Sequence, residues 1–187
     1  SSAASDVYKR QSMVLCGMFA ALVAIGAFIQ IPVPYMDYFT LQFFFVLLAG
    51  LILGADKGAI SVGCYVLLGL VGVPIFAAGG GIGYIFRPSF GYLVGFIVSA
   101  YVTGKVCEKL KASYKNYLLA CLAGFVVTYA IGIVYKFIIL NFYAHTPATL
   151  GVIFLSCFPL DMPGDFVLCL LAAGVGLRMR KSGFYLS

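Results

Sequence analysis

The chain has 187 residues, of which 63% are hydrophobic and 10% are charged, and it carries a formal net charge of +6. This composition excludes a soluble globular domain, in which about a quarter of the residues are charged. A helix that crosses a bilayer needs about 20 mainly apolar residues, so the length predicts one membrane domain, residues 1–187, with six spans. The predicted class is an all-α polytopic membrane protein, whose positive charge reflects membrane topology rather than nucleic-acid binding.

The first three predicted helices precede a glycine-rich stretch. The first, 12–31, is expected to be retained rather than cleaved as a signal peptide, because no small-residue cleavage site precedes a polar mature domain. It is expected to end at Pro32 and Pro34, which cannot donate backbone hydrogen bonds. The second and third helices, 40–54 and 57–73, are separated by a tight polar connection and are predicted to form an antiparallel hairpin.

The stretch from 74 to 88 is too rich in glycine for a stable helix, and it predicts a structured loop. Lipid offers no partners to backbone polar groups, so such a loop persists at membrane depth only where protein buries it or where it lines a cavity. We therefore expect it to form a cavity wall, although its aromatic residues are equally typical of an interfacial belt. The residues singled out in this wall are Phe76, Gly79, Gly80, Gly81, Gly83 and Tyr84.

Three further helices are predicted at 89–106, 116–143 and 163–180, and a stretch at 149–158 is expected to lie along the membrane interface as a short helix. Basic residues concentrate in cytoplasmic loops. With six spans, ten of the twelve basic residues fall on one face, which predicts cytoplasmic termini and an outer loop between the third and fourth helices. These ten are Lys9, Arg10, Lys57, Lys105, Lys109, Lys111, Lys115, Arg178, Arg180 and Lys181.

The two remaining basic residues break this pattern. Arg87 lies in the outer loop, and Lys136 lies about twenty residues into the fifth helix, towards its outer end. Asp37, Asp161 and Asp165 lie on the same side. Charges within a membrane are costly and mark ligand or ion pathways, so this group predicts a polar site. The alternatives are that Lys136 snorkels to the headgroups, that Arg87 binds lipid phosphate, and that Asp165 only caps the last helix.

The sequence contains no motif for catalysis. It has no phosphate-binding loop, its single histidine and six separated cysteines predict no metal site, and no nucleophile stands beside a base. We therefore expect no enzyme activity and no cofactor, so that any ATP-driven step belongs to another subunit. A stripe of small residues in the first helix fits either an external helical partner or internal packing; it consists of Gly17, Ala20, Ala21 and Ala24.

Five stretches of sequence stand out when they are taken together: LQ at 41–42, LAGLILG at 48–54, GVPIFAAGGGIG at 72–83, PSFGYLVGF at 88–96 and PGD at 163–165. Together they resemble the BioY family, the biotin-specific S-components, or substrate-binding subunits, of energy-coupling-factor (ECF) transporters. The resemblance covers nearly the whole chain. The sequence departs from the commonest family pattern at Arg87 and Phe90, where glycines often stand.

The resemblance implies a six-helix bundle in the plasma membrane of a prokaryote, which binds biotin from outside with high affinity. It implies association with a transmembrane coupling subunit and two ATPase subunits. The face of the first helix that carries Ala20 and Ala24 resembles the stripe on which the coupling subunit docks. The alternatives are an S-component for another vitamin and a solitary secondary transporter.

The resemblance also implies roles for the candidate site residues. Biotin has an anionic carboxylate, an apolar sulfur-containing ring, and a ureido group with two N–H donors and one acceptor. Asp165 is expected to accept from the ureido N–H groups. Lys136 and Arg87 are candidates for the carboxylate or the ureido oxygen. The glycine-rich loop, with Tyr84 and Phe76, is expected to enclose the ring.

Overall fold

The computed structural model describes residues 2–31, 39–159 and 161–185. The expected helix breakers Pro32 and Pro34, and Asp37 in the loop that follows, lie outside the described residues. The chain is a membrane protein, because several of its described helices are long and apolar enough to cross a bilayer. These candidate spans are Ser5–Phe28, Phe90–Lys109, Tyr114–Tyr143 and Asp161–Lys181.

The described part of the chain is built almost entirely of helices, so the prediction of an all-α protein is confirmed. A small antiparallel pairing joins strands β1 (Gln30–Ile31) and β2 (Phe39–Thr40) between the first two helices. A 3₁₀-helix occupies Ile82–Phe86, and a π-helical turn occupies Ile139–Tyr143. The α-helices are α1 (Ser2–Phe28), α2 (Gln42–Leu53), α3 (Ala55–Val71), α4 (Phe90–Lys109), α5 (Tyr114–Ile138), α6 (Leu150–Cys157) and α7 (Asp161–Lys181).

The helix boundaries depart from the predicted ones chiefly in α1 and α7. α1 begins at Ser2, because the apolar pattern used for the prediction does not extend to its polar N-terminal residues, and it ends at Phe28, before β1. α7 begins at Asp161 rather than at residue 163. Asp165 therefore lies in the second turn of α7, and the interpretation of this carboxylate as a helix cap is wrong.

α2 lies at the centre of the described bundle and is packed against α1, α3, α4 and α7. Its residues from Val46 to Leu53 are all buried, as expected for a helix that is apolar on every side. Gln42 begins this helix and is its only polar residue. α2 therefore carries one polar side chain into the centre of the molecule.

α4 and α5 form the most extensive helix pair, and glycines allow their close approach. A Cβ at Gly91 would collide with Tyr135 of α5, and a Cβ at Gly132 would collide with the ring of Tyr92 of α4. Each glycine thus receives an aromatic side chain from the opposite helix. This packing fixes the positions of Tyr92 and Tyr135 along the helix axes.

The segment between α3 and α4 folds back against the end of α3. Gly81 N–H donates to the carbonyl of Gly69 at 2.7 Å, and Phe76 and Gly79 exchange backbone hydrogen bonds of 2.9 and 3.2 Å. Gly79 and Gly81 have φ angles of 110° and 101°, which glycine adopts at no steric cost. This irregular backbone is held by its own hydrogen bonds and carries the 3₁₀-helix to the mouth of a cavity.

Candidate ligand-binding site

A cavity of about 580 Å³ lies between the segment that joins α3 to α4 and helices α2, α4, α5 and α7. Its volume is within the range of about 300 to 1,000 Å³ that is typical of small-molecule sites. Charged, hydroxyl and aromatic side chains converge on it from parts of the sequence far apart. The lining residues are Phe39, Thr40, Gln42, Phe43, Ala77, Ala78, Tyr84, Arg87, Ser89, Tyr92, Leu93, Phe96, Tyr129, Lys136, Ser156, Asp161 and Asp165.

The acidic end of the cavity is formed by α7 and α5. The Tyr129 hydroxyl donates to Oδ2 of Asp165 at 2.7 Å. The ring of Tyr129 is held from two sides, by Phe125 at 4.7 Å and by Tyr92 at 5.8 Å between ring centroids. An ionised carboxylate can accept about four hydrogen bonds, so Asp165 retains capacity to accept N–H groups of a ligand. Asp161 lines the cavity one turn earlier on α7.

The basic end lies farther along α5 and in the segment before α4. Lys136 follows Tyr129 by seven residues, which places it on the same helix face about 10.5 Å farther along the axis. The Arg87 guanidinium lies 5.2 Å from the centroid of the Tyr84 ring, within the range of a cation–π contact. The Tyr135 hydroxyl donates to the carbonyl of Ile85 at 2.6 Å and so attaches the 3₁₀-helix to α5.

Aromatic rings form much of the apolar wall of the cavity. Phe43 and Phe96 stack at 5.9 Å between centroids, and Tyr84 lines the cavity from the 3₁₀-helix. Phe76 lies behind this wall rather than on it. Its side chain is 1% exposed and packs 4.6 Å from Tyr84 and 5.6 Å from Tyr65 between centroids. Phe76 therefore supports Tyr84, and it is absent from the lining because its ring fills the space beside α3.

The glycines of the predicted wall are also placed behind the lining, which at this point consists of Ala77 and Ala78. The reason is that the glycines allow the segment to fold onto α3: a Cβ at Gly80 would collide with the carbonyl of Val73. Gly79 and Gly81 supply the turns. Neither these three glycines nor Gly83 is among the residues that line the cavity, so their contribution is to the shape of the segment.

Tyr129 and Gln42 line the cavity but were not predicted as site residues, although each left a signal in the sequence. Tyr129 precedes Lys136 by two helical turns, so a search of the helix face around the unexplained lysine would have found it. Gln42 is a lone amide in the otherwise apolar QFFFVLLAGLIL helix, a position where polar residues are costly. In both cases the signal is a polar group in an apolar span.

The small-residue stripe of α1 divides into two parts. Gly17 and Ala21 are exposed, and the space that a Cβ would occupy at Gly17 is empty within 4 Å. Ala20 and Ala24 are half-buried and pack against the core. Internal packing thus accounts for one side of the stripe, and the other side faces outwards.

The side chains of the described residues form no cluster of three or more metal-ligating groups. All six cysteines are free thiols. Cys157 is buried beside the cavity, where its Sγ lies 3.1 Å from the Tyr92 hydroxyl. The polar chemistry of the site therefore comes from carboxylates, an amide, hydroxyl groups and two cations.

The sequence model of the BioY family matches residues 2–183. The chain belongs to the BioY family. Its relatives include a protein of Lysinibacillus sphaericus named "Probable biotin transporter BioY", 39% identical over 171 residues, which are 91% of this chain and 87% of the relative. The "Biotin transporter BioY" of Thermotoga maritima is 38% identical over 175 residues, covering 91% and 96%.

The fold of this BioY-family chain also matches a solved structure. It aligns with the crystal structure of the S-component for biotin from an ECF-type ABC transporter, with a TM-score of 0.83 and 25% identity, over 95% of this chain and 94% of that one. Membership of the BioY family places the chain among transport proteins rather than enzymes. The resemblance noted in the sequence is confirmed.

Proposed function

We propose that this chain is the S-component of an ECF transporter, which captures biotin from outside the cell for ATP-driven uptake. The observation that carries the proposal is the polarity of the cavity. Tyr129, whose hydroxyl holds the Asp165 carboxylate of α7, and Lys136 line the cavity from one face of α5 and are separated by about 10.5 Å of helix axis. A ligand with hydrogen-bond donors at one end and an anion at the other matches this arrangement.

Biotin fits the two ends of the cavity and its aromatic wall. Its ureido N–H groups donate to Asp165, which the Tyr129 hydroxyl holds in position. Its carboxylate lies between Lys136 and Arg87, where hydrogen bonds to charged groups are strong. The apolar ring system contacts the aromatic wall formed by Phe43 and Phe96. The chain needs no cofactor for this role.

The orientation in the membrane follows from the basic residues. Six spans, formed by α1 to α5 and α7, place both termini in the cytoplasm of a prokaryote and the cavity at the outer face of the plasma membrane. The segment between α3 and α4 is then an outer loop, and α6 lies along the outer interface. Biotin enters from outside, and Arg87, which is exposed, is the first cation that its carboxylate meets.

The partners are a transmembrane coupling subunit and two ATPase subunits. The chain itself has no nucleotide-binding motif, so the energy of ATP must arrive through contacts between subunits. The exposed part of the α1 stripe, Gly17 and Ala21, offers a surface on which a helix of the coupling subunit can approach closely. After docking, the bundle tips within the membrane and releases biotin inward.

The test is calorimetric titration of the purified chain in detergent with biotin, thiamine and riboflavin. We expect tight binding of biotin alone, with Asp165→Asn and Lys136→Met each weakening it at least about tenfold. Matched controls are Asp56→Asn and Lys109→Met, which change exposed residues away from the cavity and leave affinity unchanged. The proposal would be contradicted if the folded wild-type chain did not bind biotin, or if it bound thiamine or riboflavin instead.

A further inference from the structure

Gln42 combines three properties that no other described residue shares. Its side chain is 4% exposed, it lines the cavity, and its Nε2 atom has no hydrogen-bond partner within the described protein. The other buried side-chain atoms without a partner belong to residues that do not line the cavity; they are Ser12 Oγ, Ser99 Oγ, Thr103 Oγ1 and Thr128 Oγ1. A buried donor left unpaired is unfavourable, so Gln42 indicates a ligand acceptor.

Gln42 stands near the acidic end of the cavity. The ring of Phe43, the next residue, lies 6.4 Å from that of Phe125, which in turn packs against Tyr129. Phe39, in strand β2 three residues before Gln42, packs against Gly164, the neighbour of Asp165. α2 therefore presents Gln42 to the same region of the cavity to which α5 and α7 present the Tyr129–Asp165 pair.

The contact with Tyr65 does not use up the hydrogen-bonding capacity of the Gln42 amide. Tyr65 lies beside Gln42, and its hydroxyl gives its proton to the carbonyl of Ile75 at 2.9 Å. The hydroxyl oxygen can still accept one hydrogen bond. The Gln42 amide nitrogen carries two protons, so an approach to Tyr65 leaves the second proton without an acceptor in the described protein.

We propose that Gln42 Nε2 donates a hydrogen bond to the ureido oxygen of the bound ligand, an inference that rests on the proposed function. The ureido group has two N–H donors and one oxygen acceptor. Asp165 takes the donors, and Lys136 and Arg87 lie at the carboxylate end. Gln42 completes recognition of the ureido group and selects a cyclic urea over a ring that presents a weaker acceptor at this position.

The experiment compares two ligands and three variants by calorimetry. The ligands are biotin and 2-thiobiotin, in which sulfur, a weak acceptor, replaces the ureido oxygen. The variants are Gln42→Met, which removes the donor at similar volume, Gln42→Glu, which replaces the amide nitrogen by an oxygen, and the control Gln11→Met at an exposed glutamine of α1. Thermal unfolding of each variant, without ligand, reports whether the bundle remains intact.

We expect Gln42→Met to weaken biotin binding by about 10- to 100-fold. The same change leaves 2-thiobiotin binding almost unaffected, because the lost hydrogen bond is one that this ligand makes poorly. Gln42→Glu weakens biotin binding at least as much at alkaline pH, where the carboxylate is ionised, offers no donor and faces the ureido oxygen. The control Gln11→Met binds both ligands as the wild type does.

Three results would overturn the inference. If Gln42→Glu bound biotin as tightly as the wild type at alkaline pH, where the carboxylate is ionised, the side-chain oxygen would be accepting a ureido N–H instead. Equal weakening of both ligands by Gln42→Met would assign Gln42 a structural role. Equal binding of biotin and 2-thiobiotin by the wild type would also exclude the proposed hydrogen bond. This comparison uses only the wild type, so it does not depend on whether a variant folds. A wild type that binds neither ligand would overturn the proposed function itself.

Discussion

The Tyr129 hydroxyl donates a hydrogen bond of 2.7 Å to Oδ2 of Asp165 and thereby joins α5 to α7 at the acidic end of the cavity. Tyr129 is itself buried, and Phe125 and Tyr92 fix its ring. A carboxylate with one oxygen held in this way presents the other oxygen to a ligand in a defined direction. The bond thus organises the site before any ligand arrives, which lowers the entropic cost of binding.

Removal of this hydrogen bond should weaken biotin binding without unfolding the bundle. Tyr129→Phe keeps the ring and its contact with Phe125 but leaves Asp165 without its donor. Hydrogen bonds to charged groups contribute about 1.5 to 3 kcal/mol, so we expect a loss of roughly 10- to 100-fold in affinity by calorimetry. Tyr101→Phe at the exposed face of α4 is the matched control. Unchanged affinity in Tyr129→Phe would show that Asp165 is positioned by other groups.

The approach of α4 and α5 should depend on Gly91. An alanine at this position would place its Cβ against the Cβ of Tyr135, which is close to the backbone and cannot rotate away. We expect Gly91→Ala to lower the free energy of unfolding by about 1 to 3 kcal/mol. Biotin affinity should fall too, because Tyr135 attaches the 3₁₀-helix to α5 through Ile85.

Thermal unfolding in detergent, with and without biotin, measures both effects of Gly91→Ala. The matched control is Gly63→Ala in the middle of α3, where nothing lies within 4 Å of the added Cβ. This change should alter stability by less than about 1 kcal/mol, in the stabilising direction, because alanine is the better helix former. If Gly91→Ala and Gly63→Ala destabilised the protein equally, the close packing of α4 and α5 at Gly91 would make no specific contribution to stability.

The charged part of the site could be predicted from sequence because charges stand out in an apolar chain. Arg87, Lys136 and Asp165 were each identified as exceptions to the membrane pattern, and all three line one cavity. Tyr129 and Gln42 are different, because tyrosine is common in membrane helices and a single glutamine can lie at an interface. Their importance depends on what lies opposite them, which only the packing of α2, α5 and α7 determines.

The glycine-rich wall shows the opposite case. The segment could be identified from the sequence, but the residues of the segment that line the cavity could not. Composition predicts that 74–88 is irregular, and the structure confines it to turns and one 3₁₀-helix. Sequence could not distinguish glycines that contact a ligand from glycines that let the chain fold onto α3. Gly80 packs against the backbone of Val73, and the residues of this part of the segment that line the cavity are Ala77 and Ala78.

Release of biotin should be controlled in part by a contact between two exposed rings. Phe86, at the end of the 3₁₀-helix, stacks on Tyr143 in the π-helical turn after α5, with 4.8 Å between centroids. Tyr84 and Arg87 lie on either side of Phe86 in the chain and both line the cavity, so we expect movement of this segment to accompany ligand release. An aromatic pair contributes about 0.5 to 1.5 kcal/mol beyond its buried area.

Phe86→Ala should therefore increase the dissociation rate of biotin by roughly 2- to 12-fold. Stopped-flow measurement of the displacement of labelled biotin by unlabelled biotin gives this rate. Ile82→Ala is the matched control, because Ile82 is an exposed apolar residue of the same 3₁₀-helix and should have little effect. If both variants accelerate release equally, the whole segment is loosened and the ring pair has no particular role.

Transport should be separable from binding at the exposed part of the α1 stripe. Ala21→Trp places a large side chain where the coupling subunit is proposed to approach, on the side of α1 that the bundle does not cover. We expect biotin affinity within about twofold of the wild type, and loss of at least about nine-tenths of ATP-dependent uptake in proteoliposomes that contain the partner subunits.

The control Val126→Trp tests whether any exposed tryptophan has this effect, since Val126 faces outwards from α5. It should support normal uptake. Ala24→Trp is expected to behave differently from both, because Ala24 is half-buried against the core and its replacement should lower thermal stability. Normal uptake by Ala21→Trp would contradict docking at this part of α1. Equal loss of uptake by Ala21→Trp and Val126→Trp would mean that the two faces are equally sensitive, and α1 would not be a specific docking surface.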